Sequence, residues 1–159
     1  MIVVADTSPV NYLVLIGHID ILQRLYTRIL IPSAVLAELE HPLAPKPVRD
    51  WAGDPPNWLE VLRPQTSVLF AQLDLGESEA IALAIEMHVE VLLIDEQAGR
   101  KEAVCRGLKV AGTLSVLDEA DRAGFVNFDQ AVTQLRSTSF RVSQAVLSQI
   151  KKKRPRRLT

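Results

Sequence analysis

The sequence predicts an α/β fold, a three-layer α/β/α sandwich around a central parallel sheet of about 4–5 strands. Three observations lead to this prediction. Short apolar runs rich in β-branched residues alternate along the chain with stretches of helical periodicity. The length of 159 residues corresponds to one domain whose core needs no disulfide. Apolar residues make up 48% and charged residues 23% of the chain, which is the balance of a globular protein.

The first half of the chain contains three predicted strands. Ser8 and Pro9 are typical of an N-cap and a first helical residue, so a helix is predicted to begin there. Five of the nine prolines lie in residues 41–57, which we therefore predict to be an irregular excursion. The other predicted elements are a strand at 2–5, a helix from about Ile19 to Leu25, a strand at 29–31, a helix at 32–40 and a short strand at 58–62.

The second half of the chain is mainly helical by the same signals. Gly107 is typical of the residue that follows a helix C-terminus. The predicted elements are a helix at 77–88, a buried strand at 89–94, a helix at 97–106, a brief strand at Val110, and helices at 113–123, 128–135 and 142–150. We predict a single domain over residues 1–150 and a basic, flexible tail at 151–159.

Charge and cysteine content restrict the class of protein. Residues 151–159 hold six of the 18 Lys and Arg residues and no acid, which leaves 12 bases and 19 acids elsewhere. The only cysteine, Cys105, excludes an intramolecular disulfide and a cysteine zinc site. Apolar runs are too short for a membrane helix and no signal peptide is visible, so a cytoplasmic protein is expected.

Carboxylates follow the predicted strands, and this is the main functional signal. Because parallel strands end at the same edge of a sheet, these side chains are expected to converge there. Grouped carboxylates raise each other's pKa values, and a divalent cation relieves the repulsion. Oxygen ligands favour Mg²⁺ or Mn²⁺, which can activate water for displacement at a phosphodiester. The candidates are Asp6, Glu38, Glu77, Glu79, Asp95 and Glu96.

Glu77 and Glu79 are separated by two residues of a predicted helix. That spacing is a rotation of about 200°, so both cannot face one ion. Glu79 is adjacent to the apolar face formed by Ala80, Ile81 and Ala84, and we favour it as the ligand. Glu77 is kept as a second acid or an N-terminal cap. The three histidines have no ligand spacing, and no glycine-rich phosphate loop is present.

Four segments in this order and spacing resemble the PIN-domain family of ribonucleases. The resemblance covers about residues 1–125, and the forms of the third and fourth segments are similar to a small prokaryotic branch near the VapC toxins. The segments are Asp6-Thr7-Ser8, residues 31–39 with Glu38, residues 73–84 with Glu77 and Glu79, and residues 92–96 followed by Gly99-Arg100 and Gly112-Thr113.

The resemblance implies a metal-dependent endoribonuclease with a Rossmann-like sheet, an acidic pocket for Mg²⁺ or Mn²⁺ and a homodimer. It also implies a small antitoxin partner if the protein is the toxin of a toxin–antitoxin pair. Many PIN domains have Thr/Ser-x-Asp in the fourth segment, where this chain has Ile94-Asp95-Glu96. The catalytic and metal-binding residues carried over are Asp6, Glu38, Glu79 and Asp95, with Glu77 and Glu96 as alternates.

Supporting and RNA-binding residues complete the predicted site. Ser8 either hydrogen-bonds Asp6 or a water at the metal, or caps the first helix. Arg100 holds the pocket carboxylates apart electrostatically, contacts phosphate, or forms a surface ion pair. The basic tail predicts sequence-independent, salt-sensitive contacts with RNA phosphates or with an acidic antitoxin segment. Its residues are Lys151, Lys152, Lys153, Arg154, Arg156 and Arg157.

Two other functions compete with the nuclease. A catalytically silent PIN scaffold that binds RNA or a protein partner would account for the altered fourth segment. A phosphoacceptor domain of the receiver type also uses acids at strand ends, but it needs paired acids after the first strand, where only Asp6 is present.

Overall fold

The computed structural model describes residues 1–66 and 69–154, and these residues form a five-stranded sheet in which all pairings are parallel. The order of strands across the sheet is β3-β2-β1-β4-β5. Helices flank this sheet, which confirms the predicted α/β/α class. The strands are β1 (Ile2–Ala5), β2 (Arg28–Pro32), β3 (Leu59–Leu62), β4 (Val91–Leu93) and β5 (Val110–Ala111).

β1 is the central strand of the sheet. Val4 is paired with Leu30 of β2 on one side and with Leu92 of β4 on the other. The residues of β1 are all apolar, because a central parallel strand is covered by other elements on both faces of the sheet. The chain moves outward from β1 through β2 to β3, and then returns to β4 on the opposite side. The resulting crevice lies at the carboxyl ends of β1 and β4, the place where parallel α/β sheets bind ligands.

Six helices of the described residues belong with the sheet in the first of two compact units, Met1–Thr113. The small residues Ala80 and Ala84 of α5 are fully buried in the same apolar cluster as Val4 and Leu92, so this helix lies close to the strands. No helix within the described residues is long and apolar enough to cross a membrane. The six helices are α1 (Thr7–Leu15), α2 (Ile21–Leu25), α3 (Ser33–Leu39), α4 (Lys46–Gly53), α5 (Leu75–Glu86) and α6 (Gln97–Cys105).

The prediction that residues 41–57 are irregular is wrong, because this segment contains α4. Pro45 is the N-cap of α4 and Pro47 lies in its first turn. A proline in the first turn loses no hydrogen bond, since the first N–H groups of a helix have no partner within it. Val48 and Ala52, four residues apart, bury one face of α4. Pro45 and Pro47 therefore indicate where α4 begins and do not prevent a helix in this segment.

The start of α1 also differs from the prediction. Asp6 is the N-cap and Thr7 is the first helical residue, whereas Ser8 and Pro9 were expected in these places. Asp6 has the extended backbone of an N-cap, but its side chain makes no capping hydrogen bond. The carboxylate of Asp6 is therefore available for another role.

The second compact unit begins at Leu114. Within the described residues it contains three helices, α7 (Thr113–Arg122), α8 (Phe128–Arg136) and α9 (Gln144–Lys153). Thr113, the first residue of α7, belongs to the first unit. Arg154 forms ion pairs with Asp118 at 2.7 Å and Asp121 at 2.8 Å, and its guanidinium lies 4.3 Å from the ring centre of Phe128. α9 extends to Lys153 and thus into the segment predicted as a tail. The single domain over residues 1–150 stays a prediction.

Candidate active site

Asp6 lies at the carboxyl end of β1, in the crevice beside β4. The residue is only 3% exposed, and one carboxylate oxygen, Oδ1, is buried without a hydrogen-bond partner. Burial raises the pKa of Asp6 to about 7, against the effect of the Thr7 backbone N–H. The negative charges of Glu38, Asp74 and Asp95 contribute smaller parts of this rise. A buried carboxylate with an unused oxygen is costly unless a cation or proton neutralises it.

Glu38 reaches the same place from α3. Its carboxylate accepts hydrogen bonds from the Thr7 hydroxyl and from the backbone N–H of Gly76. Burial raises its pKa, and the nearby charge of Asp74 adds to this effect. A Cβ atom at position 76 would lie 2.8 Å from Glu38 Cδ, so only glycine allows the carboxylate to approach the start of α5.

Asp74 is a member of the site that the sequence analysis missed. It is the N-cap of α5, and its Oδ1 accepts a 2.8 Å hydrogen bond from the backbone N–H of Glu77. Its charge raises the pKa values of Asp6, Glu38 and Glu77. An aspartate three residues before a glutamate is a known signal for a helix N-terminus, and it was available in the sequence.

The structure brings Glu77, and not Glu79, to Asp6. Burial raises the pKa of Glu77 to about 8, and the charges of Asp74, Asp6 and Glu96 contribute. The Glu79 carboxylate instead accepts a 2.9 Å hydrogen bond from the backbone N–H of Ala34 at the start of α3. The two side chains diverge because residues two apart on a helix are separated by about 200°.

Asp95 follows β4 and is fixed by Thr113. Its two carboxylate oxygens accept hydrogen bonds from the Thr113 backbone N–H and hydroxyl, each at 2.7 Å. Burial raises the pKa of Asp95, while Thr113 and the positive charge of Arg100 lower it. Arg100 also donates to the carbonyl of Ile94 at 3.0 Å, so it holds the end of β4. Glu96 is exposed and raises the pKa values of its neighbours Asp95 and Glu77.

The other predicted residues have different surroundings. Ser8 lies in the first turn of α1, where Asp6 has taken the cap position. Lys151, Lys152 and Lys153 form the last turn of α9, and Arg154 is held by its ion pairs with Asp118 and Asp121. Arg156 and Arg157 lie outside the described residues.

The acidic cluster, by which we mean Asp6, Glu38, Asp74, Glu77 and Asp95, offers only carboxylate oxygens, the donors preferred by Mg²⁺ and Mn²⁺. Within residues 1–66 and 69–154, no group of three or more His, Cys, Asp and Glu side chains is already arranged to hold one ion. Mg²⁺ commonly uses one or two carboxylates and keeps several waters. The unused Oδ1 of Asp6 among neighbouring carboxylates fits this mode of binding.

Comparison with known proteins agrees with this fold. The chain is similar to the solved structure of a PilT N-terminus domain protein, SSO1118, from the hyperthermophilic archaeon Sulfolobus solfataricus P2. The two share 15% identity and a TM-score of 0.56 over 76% of this chain and 93% of that chain, which supports the fold alone. No curated protein matches the chain. A family described as a PIN domain, DUF3368, matches residues 2–155, and the protein therefore belongs to this family and has a nuclease-type fold.

Proposed function

We propose that the protein is a metal-dependent endoribonuclease that cleaves RNA phosphodiesters at the acidic cluster. The observation that carries the proposal is the buried Oδ1 of Asp6, which has no hydrogen-bond partner and is surrounded by like charges. Family membership supports it, because PIN domains are generally nucleases and typically use divalent metals. A purely structural role would favour a neutral, fully hydrogen-bonded side chain at this place.

The residues of the cluster have separate roles in this proposal. Asp6, Glu77, Asp95 and Glu38 would hold Mg²⁺ or Mn²⁺, with Glu77 replacing Glu79 in the set expected from the sequence. The bound cation supplies Lewis acidity toward water and the phosphate oxygens. Thr7 orients Glu38 and Thr113 orients Asp95, which reduces the reorganisation needed when substrate binds.

The negative charges of the acidic cluster and of RNA explain why RNA needs a cation to bind at the cluster. Raised pKa values at Asp6 and Glu77 mean that protons neutralise part of the cluster near pH 7 when no cation is bound. When these groups are ionised they repel the phosphate backbone, and a divalent cation attracts both. Arg100 adds one fixed positive charge beside Asp95. Cleavage is therefore expected to depend on added Mg²⁺ or Mn²⁺ and to stop with a chelator.

Contacts of basic side chains with RNA phosphates are part of the same proposal. Lys151–Lys153 at the end of α9 are the candidates for phosphate contacts, whereas Arg154 is already paired with Asp118 and Asp121. Such contacts would be independent of sequence and weakened by salt. The toxin role, the antitoxin partner and the homodimer stay predictions that rest on the resemblance to VapC toxins.

The pair Glu77→Gln and Glu79→Gln tests which acid serves the site. We expect Glu77→Gln to lower the rate of RNA cleavage with Mn²⁺ by about 30-fold, since its carboxylate lies in the acidic cluster. Glu79→Gln should stay within about 3-fold of wild type, because the amide oxygen still accepts from Ala34. The rates are measured on labelled single-stranded RNA, with EDTA as the negative control.

The opposite ranking of these two variants would contradict the assignment of Glu77. A wild-type protein that binds the RNA but leaves it intact with Mn²⁺ and with Mg²⁺ would instead support the silent scaffold.

A further inference from the structure

A cavity of about 330 Å³ lies directly beside the acidic cluster. Its lining includes Thr7 and Glu38, which also belong to the hydrogen-bonded core of the candidate active site. The rest of the lining comes from α1, from the end of α3 and from the loop 41–45 that leads into α4. A group bound in this cavity would therefore lie one side chain away from the carboxylates proposed to act on the phosphodiester.

The loop side of the cavity is held in place by its own hydrogen bonds. The Ala44 backbone N–H donates to the carbonyl of His41 at 2.9 Å, and Arg49 of α4 donates to the carbonyl of Ala44 at 3.0 Å. Pro45 is the N-cap of α4, which fixes the direction of the chain. Leu39, which is 1% exposed, anchors the end of α3 beneath the cavity. The cavity wall is thus formed before any ligand binds.

Two side chains give the cavity hydrogen-bonding groups. Asn11 of α1 has an amide that both donates and accepts. The Nδ1 atom of His41 accepts a 3.0 Å hydrogen bond from the Leu43 backbone N–H, so the neutral ring carries its proton on Nε2 and donates from there. Leu39, Ala44 and Pro45 give the remaining wall an apolar character.

This combination matches an unpaired nucleobase. A base has flat apolar faces and an edge of hydrogen-bond donors and acceptors, and proteins read it with amides and apolar walls when it is not stacked in a duplex. The volume lies at the lower end of the range for ligand pockets and suits one base with its sugar. The lining contains no Lys or Arg and includes Glu38, so a phosphate is disfavoured there.

We propose that this cavity binds one unpaired nucleobase of the RNA next to the scissile phosphate, and that Asn11 and His41 determine which base is preferred. The proposal rests on the proposed endoribonuclease function and adds that this cavity gives the enzyme a base preference at one position beside the cut. Asn11 and His41 are specificity residues, and the acidic cluster remains the place of cleavage.

The first test compares the cleavage sites of wild type and Asn11→Ala on a randomised single-stranded RNA with Mn²⁺. Wild type should prefer one base at a fixed distance from the cut. Asn11→Ala should lower kcat/KM for that base by about 10-fold and leave poorly cleaved bases nearly unchanged. Asn57→Ala, an exposed asparagine in a turn that does not line the cavity, is the matched control. Asn11→Asp keeps the shape and should move the preference to a different base, which a folding defect would not do.

The second test uses uncharged ribonucleosides and separates the pocket from the cleavage activity. One of adenosine, cytidine, guanosine and uridine should shift the amide NMR signals of Asn11 and His41 in wild type, and the shift of the His41 signal should be lost in Asn11→Ala. If wild type and both Asn11 variants cleave with the same base preference, the proposal that this cavity selects the base is contradicted. The proposed endoribonuclease function is not affected by that result. Nucleoside binding at Asn11 without cleavage of any RNA would support a base-binding cavity and overturn the nuclease, and with it the position of that base beside a cut.

Discussion

Asp6→Asn is expected to lower the rate of RNA cleavage by about 1,000-fold, a loss of about 4 kcal/mol of transition-state stabilisation. The substitution keeps the shape of the side chain and removes its charge, so binding of the cation is weakened while packing is preserved. The same substitution should raise the melting temperature of the metal-free protein at about pH 8. It removes a buried charge whose Oδ1 has no partner and whose neighbours are negative.

The sign of the stability effect follows from the pKa of Asp6. Its pKa is raised from 3.8 to about 7 in the folded protein, so the native state binds more protons than the unfolded state between these values. The contribution of protonated Asp6 to the free energy of unfolding is complete below pH 3.8. It is lost as the pH rises through about 7. The melting temperature of wild type in EDTA should therefore fall across this range, and that of Asp6→Asn should fall less.

Calorimetric melting of both proteins in EDTA, together with cleavage rates in Mn²⁺, checks these expectations. Asp54→Asn, at the exposed end of α4, is the control for loss of one negative charge. An Asp6→Asn protein that is less stable than wild type at about pH 8 would show that Asp6 has a structural role as an ionised group. Cleavage at the wild-type rate would exclude Asp6 from catalysis.

Gly76→Ala is expected to lower cleavage by about 100-fold without touching a carboxylate. The new Cβ would lie 2.8 Å from Glu38 Cδ, so Glu38 must leave its position beside Thr7 and the start of α5. The fold should tolerate the change, because alanine favours a helix over glycine by about 1 kcal/mol and offsets part of the clash. The measurement is the cleavage rate at saturating RNA and Mn²⁺, with the melting temperature alongside.

Gly53→Ala is the matched control for this prediction. Gly53 is also a helical glycine, in α4, and a Cβ atom there would meet nothing within 4 Å. We expect a wild-type rate and a slightly raised melting temperature. Gly76→Ala with a wild-type rate would mean that the position of Glu38 is not required for cleavage.

The strands and the acids at their ends were predictable from the sequence. The runs that became β1 and β4 are apolar and β-branched, and parallel strands bring the residues just beyond their carboxyl ends to one edge of the sheet. Asp6 and Asp95 were therefore expected in the crevice, and the structure has them at the ends of β1 and β4. Their position depends only on local pattern and on the parallel direction of the strands.

The identity of the acid on α5 was not predictable in the same way. The spacing of Glu77 and Glu79 shows that only one can face the crevice, but the rotation of the helix about its axis decides which one. That rotation is set by long-range packing of Ala80, Ile81 and Ala84 in the apolar cluster beside the sheet. Local periodicity carries no information about it beyond the apolar stripe, which favoured Glu79, whereas in the structure Glu77 lies near Asp6.

Two further features were missed because one residue type has two uses. Prolines interrupt a helix, but they also begin one, and Pro45 and Pro47 begin α4. An aspartate before a helix is usually only a cap, and Asp74 is a cap whose charge also acts on Asp6 and Glu77. The cavity beside Glu38 depends on both the loop 41–45 and α4, so it could not be inferred while that segment was expected to be irregular.

Titration calorimetry with Mn²⁺ at about pH 6.5 tests the central claim, that the carboxylates at the ends of β1 and β4 form a cation site built around Asp6. Wild type should bind Mn²⁺ saturably and release protons, because its raised pKa leaves Asp6 largely protonated in the metal-free protein at this pH. Asp6→Asn should bind at least about 10-fold more weakly and release fewer protons. Equal affinity and equal proton release in the two proteins, or no binding to wild type, would contradict the account.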